Sequence, residues 1–162
     1  MARALIVGCG CHGRELGTEL AELGWRVRGT SRDASGLERI EATGIEAAQA
    51  DPDRPGTVLE LCGDVTVVVW LLGSASGQAD SVASVHGPRL ERLLEKLVES
   101  PVRGFAYEAE GTVDRQLLDE GRGIVLSAGR RWRIPVAALS GGRDQPGWAT
   151  RTAASIAALV AG

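Results

Sequence analysis

The chain has 162 residues, 44% hydrophobic and 24% charged, a length and balance that suit one globular domain with a buried core and exclude disorder. A net charge of −3 and a pI near 5.5 give no electrostatic footprint for nucleic acid or an anionic membrane. The longest apolar stretch, Val65 to Leu72, is too short to cross a bilayer, the three cysteines are an odd number and make no disulfide framework, and no leader opens the sequence, so a soluble, cytoplasmic protein is expected.

Ala2 to Val7 is a short apolar run ending in glycines, the pattern of a strand buried on both faces. From Gly13 to Leu23 the period becomes helical, with Leu16, Leu20 and Leu23 on one stripe and Gly24 closing the helix. Trp25 to Thr30 predicts a second strand, and Asp33 a cap for a helix running to about Thr43. Gly44 to Ala50 predicts a third strand, followed by a polar turn at Asp51-Pro52-Asp53-Arg54-Pro55 and a short helix from Thr57 to Cys62. Val65 to Leu72 is the most strand-like segment. Gly73 to Ser84 is small and polar and predicts a loop. Pro88 sits where a helix would start, and Leu90, Leu93, Leu94 and Leu97 carry its apolar face.

Val102 to Tyr107 predicts a fifth strand, Thr112 to Arg131 a helix broken at Gly121-Arg122-Gly123, Ile134 to Leu139 a sixth strand, and Trp148 to Val160 a closing helix. Strands alternating with helices mean parallel βαβ units joined by right-handed crossovers. Six strands in this rhythm predict an α/β fold of a single domain, residues 1–162, with a doubly wound sheet of order 3-2-1-4-5-6, the Rossmann arrangement.

The sharpest motif is Gly8-Cys9-Gly10-Cys11-His12-Gly13, which follows a buried strand and opens an amphipathic helix. In such a loop Gly8 permits the tight turn, Gly10 lets the backbone approach a pyrophosphate, and Gly13 lets the helix pack on the sheet. Helix amides then meet phosphate charge. The alternative is a glycine-rich turn that holds no ligand. The end of the second strand chooses between cofactors. NAD sites place a carboxylate there for the ribose 2′-hydroxyl. This chain has Thr30-Ser31-Arg32, two hydroxyls and a guanidinium that suit a 2′-phosphate, so NADP is expected first and NAD second. Against this stand an incidental arginine on a solvated turn, and Asp33, which would favour NAD if it swung to the ribose.

The glycine loop, the strand ending Gly29-Thr30-Ser31-Arg32 and the Ala50-Asp51 step after the third strand together resemble the atypical and extended short-chain dehydrogenase/reductases, the NAD(P)-dependent epimerase/dehydratase group. The resemblance implies that Asp51 and Pro52 border the adenine and that Leu71, Leu72 and Gly73 lie along the cofactor's ribose side. It also implies a Tyr-x-x-x-Lys pair, which the sequence does not offer. Tyr107, the only tyrosine, falls in the fifth strand, Lys96, the only lysine, in the helix before it, and no serine stands near Ala109 and Glu110. The chain ends after its sixth strand and helix, so the family's substrate-binding extension is expected to be absent.

Glu108 and Glu110, near the carboxyl end of a central strand, are acid–base candidates if burial raises a pKa, or else carboxylates of a solvated loop. Cys9, Cys11 and His12 suggest a metal or a redox thiol, but one short turn cannot close a tetrahedral site and no metal is expected. Cys11, near a helix start, is the candidate oxidisable thiol. Cys62 reads as core, His86 as a surface residue at a helix cap, and Trp70, Trp132 and Trp148 as core or interface. Two functional readings follow. One is an NADP(H)-dependent oxidoreductase or epimerase-like enzyme whose pocket a second subunit completes, as a dimer pairing near Ile134 to Leu139 with Trp132 and Trp148. The other is a non-catalytic module that binds NAD(P) and reports it to a partner.

Overall fold

A computed structural model describes residues 2–161. The elements run β1 (Arg3–Val7), α1 (Cys11–Glu22), β2 (Arg26–Ser31), α2 (Ala34–Glu41), β3 (Glu46–Gln49), α3 (Pro55–Leu59) and β4 (Val67–Trp70). They continue with α4 (Ala79–Val85), α5 (Pro88–Leu97), β5 (Gly104–Glu108), α6 (Arg115–Trp132), β6 (Val136–Leu139) and α7 (Trp148–Ala158). The strands form one 6-stranded sheet in the order β3-β2-β1-β4-β5-β6, with every pairing parallel. This is the doubly wound Rossmann order, and the direction of winding reverses between β1 and β4, where Ala4 pairs with Val67 and Val7 with Trp70.

The central strands are apolar because helices cover both faces of the sheet. Val67 to Trp70 are all buried. One face packs Leu16 and Leu20 of α1, Ile40 of α2 and Trp148, Ala153 and Ile156 of α7 onto Ala4, Ile6, Val67 and Val69. The other packs Val58, Val85, Leu90, Leu93, Leu94, Leu97, Val125 and Ala128 of α3 to α6 onto Leu5, Val7, Val68, Trp70, Phe105 and Tyr107. Trp70 and Trp148 are therefore core, while Trp132 is half-buried.

Several bounds differ from the sequence expectation: most strands shift or shorten by one or two residues, and α3 begins at Pro55, inside the expected polar turn, because proline suits the first turn of a helix. The first helix begins at Cys11, so Cys11, His12 and Gly13 form its opening turn. The small, polar segment after β4 is not wholly loop, since α4 occupies its second half and places His86 at its C-cap. The sixth helix runs unbroken through Gly121 and Gly123 for 18 residues, capped at one end by the Asp114 carboxylate accepting from Gln116 N and closed at the other by left-handed Arg133 (φ 55°). Packing of Leu118, Gly121, Val125 and Ala128 outweighs the ~1 kcal/mol helix penalty of each glycine.

Candidate functional site

The chain turns sharply after β1 at Gly8, which has φ 88°. A side chain there would strike Leu71 O, at 2.5 Å from an ideal Cβ, so the turn needs glycine for both conformation and space. Gly10 is different. It N-caps α1 at φ −82°, a conformation open to any residue, and a Cβ there would meet nothing within 4 Å. Gly13 is packed, with a Cβ position 3.1 Å from Gly8 O. No side chain caps α1. Arg14 N is the first amide to find a helical acceptor, Gly10 O at 2.8 Å, so among the described residues the amides of Cys11, His12 and Gly13 have none. A helix start whose first N–H groups have no acceptor can meet the charge of an anion.

A cleft of about 410 Å³ opens at this turn, along the carboxyl ends of β1, β2 and β4. Of the expected site residues it is lined by Gly8, Cys9, Gly10, Thr30, Ser31, Arg32, Asp51, Pro52, Leu71 and Leu72. Cys11 is exposed, His12 packs edge-on against Trp148 with ring centroids 5.9 Å apart, and Gly13 and Gly73 are buried in the wall behind. His12 Nδ1 is a buried ring nitrogen without a hydrogen-bond partner.

The cleft also gathers residues that carry no signal in the sequence: Arg14 and Arg39 on its wall, Ser74 to Ser76 after β4, and Arg143 from the segment between β6 and α7. Arg14, Arg32 and Arg39 make no ion pair among the described residues. The carboxylates nearby are engaged. Asp33 Oδ1 accepts from Gly36 N at 2.8 Å as the cap of α2, Asp51 Oδ1 accepts from Asp53 N at 3.0 Å, and Asp53 pairs with Arg89 at 3.5 Å. Gly36 has no room for a side chain because one would overlap Ser31 Oγ.

Below the cleft floor lies a buried polar group. Glu108, expected in a solvated loop, is 3% exposed at the end of β5. It accepts from Gly73 N at 2.7 Å and from Arg143 Nε and Nη2 at 2.7 and 2.8 Å. Burial of a carboxylate demands such partners. His86, expected at the surface, is fully buried. Its Nε2–H donates to Leu72 O at 2.8 Å, because a carbonyl only accepts, and Nδ1 therefore accepts from the Tyr107 hydroxyl at 2.6 Å. Burial holds His86 below the ordinary histidine range and pushes the Tyr107 phenol above its own. Tyr107 thus faces α6 and the His86 ring, away from the cleft, and Lys96 is exposed on α5. Glu110 is half-buried and pairs with Arg115 at 3.3 Å. Among the described residues no cluster of His, Cys, Asp or Glu is arranged to hold a metal ion, and no helix is long and apolar enough to cross a membrane.

No family model matches the chain, and no curated protein does. Solved structures match its fold. A metagenomic short-chain oxidoreductase (SDR) in complex with NADP superposes with a TM-score of 0.65 at 20% identity over 98% of this chain and 90% of that one. A mutant of Bacillus cereus UDP-glucuronic acid 4-epimerase, in complex with NAD, gives 0.64 at 16% identity over 89% of this chain. Citrobacter sp. triphenylmethane reductase complexed with NADP(H) gives 0.64 at 15% identity over 85%. The chain spans 59% of the epimerase and 49% of the reductase.

Proposed function

We propose that the chain binds NADP(H) in this cleft and serves as an oxidoreductase or epimerase-like enzyme of the short-chain dehydrogenase/reductase type. One observation carries the reading: the cleft opens at the turn into α1, whose first three amides have no acceptor among the described residues, and it is lined by Arg14, Arg32 and Arg39, which make no ion pair among the described residues, while its carboxylates are engaged. That is a site for several phosphates. The amides of Cys11, His12 and Gly13 with Arg14 would hold the pyrophosphate. Thr30, Ser31, Arg32 and Arg39 would hold the 2′-phosphate, Asp51 and Pro52 would border the adenine, and Leu71, Leu72 and Gly73 would flank the nicotinamide ribose. When bound, the dinucleotide supplies a hydride donor or acceptor. Structures that share this fold hold NADP or NAD; the preference for NADP rests on Arg32 at the end of β2 and on Asp33 Oδ1 being engaged in capping α2.

The reading includes a reducing, cytoplasmic setting, supported by three free cysteines, and pairing with a second copy across the β6 edge and Trp132 to exclude water from the open cleft. Trp148, already buried in the chain, takes no part.

Calorimetric titration of NADPH and NADH tests the cofactor. One charge-assisted arginine–phosphate contact contributes about 1.5–3 kcal/mol, so NADPH should bind roughly ten- to a hundredfold tighter, and Arg32→Ala should remove most of that margin while leaving NADH unchanged. Tighter NADH binding by the wild type overturns the choice. Gly10→Val separates ligand from fold, since a side chain at 10 meets nothing in the chain and would fill the cradle. A normally folded Gly10→Val variant with wild-type affinity overturns the site.

A further inference from the structure

Arg143 has no part in the phosphate contacts assigned above, yet it is the most firmly held side chain on the cleft wall. It comes from the glycine-rich segment 140–147 and reaches back over the carboxyl ends of β4 and β5. Its Nε and Nη2 donate side-on to Glu108 at 2.7 and 2.8 Å, and Nη2 also donates to Leu71 O at 3.1 Å. Those bonds use the Nε–H and both Nη2 hydrogens. Nη1 finds no acceptor among the described residues, and the side chain keeps 21% of its surface at the cleft that Arg143 lines.

We propose that Arg143 is a positioning residue for the nicotinamide riboside half of the dinucleotide, its Nη1 donating to an oxygen of that half, the carboxamide carbonyl or a ribose hydroxyl. The inference rests on the cofactor reading above. Three features fix the class of group. Nη1 is a donor only, so its partner is an acceptor. The positive charge of Arg143 is cancelled at contact distance by the buried Glu108 carboxylate, so the pair offers a directed hydrogen bond and not a field for a phosphate. The uncancelled positive charge of the cleft lies with Arg14, Arg32 and Arg39. Finally, Arg143 is tied to Leu71, on the β4 side of the point where the winding reverses, whereas Arg32 and Arg39 follow β2 on the other side. A dinucleotide laid across that point puts its two halves on opposite sides.

Removing Arg143 alone would strand the Glu108 charge in the protein interior and put the fold at risk. The double variant Glu108→Gln/Arg143→Gln removes both charges together and keeps an acceptor for Gly73 N. Its affinity is measured by calorimetry for NADPH, whose dihydronicotinamide is uncharged, and for 2′-phospho-ADP, which carries both 5′ phosphates but no nicotinamide riboside. The variant should lose about tenfold or more in NADPH affinity and stay within about twofold of wild type for 2′-phospho-ADP. Unchanged NADPH binding, or equal loss for both ligands, overturns the inference and leaves the cofactor site standing. So does a wild type that binds 2′-phospho-ADP as tightly as NADPH, a comparison that needs no variant. Should the wild type prefer NADH, the pair becomes NADH and ADP with the same outcomes. A wild type that binds neither reduced cofactor overturns the cofactor reading and this inference with it.

Discussion

Cys9 and Cys11 stand two positions apart and differ in everything that decides thiol chemistry. Cys9 is 5% exposed, with its sulfur against the Gly29 backbone, and burial pushes its pKa up to about 12. Cys62, buried and donating to Val58 O at 3.3 Å, is pushed up to about 11 by the same cause. The thiolate is the reactive species, so both are inert at neutral pH, and Cys11 is the exposed thiol. An alkylating reagent at pH 8 should therefore modify one thiol in the folded protein and all three in denaturant. Rapid native labelling of a second thiol, located by peptide mapping, would contradict this placement. The residue types around the turn were legible in the sequence, but their directions were not. Cys9, Cys11 and His12 look like a cluster when read along the chain, and the strand-to-helix turn sends one beneath β2, one to solvent and one against Trp148. Arg14 and Arg39 escaped for a related reason. An arginine on a helix, half-buried like Arg14 or exposed like Arg39, carries no mark in the sequence that it lines a cleft.

The elements were legible wherever periodicity and burial agree, as in β4 with its four buried residues and α5 with its buried leucines. They failed where a local signal competes with packing. Gly121-Arg122-Gly123 reads as a helix break by propensity, yet α6 continues because Gly121 is the site where Tyr107 reaches the helix. An alanine methyl at 121 would overlap the Tyr107 hydroxyl, which is itself bonded to His86. At 123 a methyl meets nothing within 4 Å. Overpacking costs about 1–3 kcal/mol and the helix gain from glycine to alanine is about 1 kcal/mol, so the two substitutions should have opposite signs. Urea denaturation should show Gly121→Ala destabilised and Gly123→Ala stabilised by about 0.5–1 kcal/mol. Stabilisation by both would mean that the Tyr107–His86 contact yields freely. The same contact sets a pH dependence. Burial depresses the His86 pKa, so below the ordinary histidine value of about 6.5 the unfolded chain takes up a proton that the folded chain resists. The contribution of this group is fully present above that value and is lost as pH falls through it. Between pH 7 and pH 5 the wild type should lose more stability than His86→Gln, and parallel profiles would show that His86 protonates without cost.

At the scale of the whole molecule the sheet divides the work between its two ends. The carboxyl ends of the strands carry the cleft. Nearer the amino ends, Arg3 and Arg28 meet Glu46 and Asp64 in a network that ties β1, β2 and β3 to the turn before β4. Arg3 Nη1 lies 2.7 Å from Glu46, and Arg28 Nη1 lies 2.8 Å from both Asp64 and Leu61 O. The doubly wound order was legible because alternation and right-handed crossovers leave few topologies. This network was not, because its members are scattered from position 3 to position 64 and join only when the strands align. The Arg28 side chain is 11% exposed, whereas Glu46 and Asp64 are 50% and 55% exposed, so the acids can be solvated if the arginine is lost. Hydrogen bonding to Arg28 holds the Asp64 carboxyl below the usual carboxylate range, so its contribution is present above the unfolded pKa and fades as pH falls through the folded one. Arg28→Met should therefore cost about 1–3 kcal/mol at pH 7, short of the cost of a stranded buried charge, with a smaller deficit at acid pH. Arg28 and Arg32 are separated by about 13 Å of extended strand, far enough for their effects to add independently. On the proposed function, NADPH at a hundred times its Kd should stabilise by about 2.7 kcal/mol, and that increment should be the same in the Arg28→Met variant as in the wild type. A variant that melts lower but keeps the full cofactor-induced shift would show that the closed end holds the fold and the open end holds the ligand. Loss of the shift along with the stability would show that the two ends are coupled through β2.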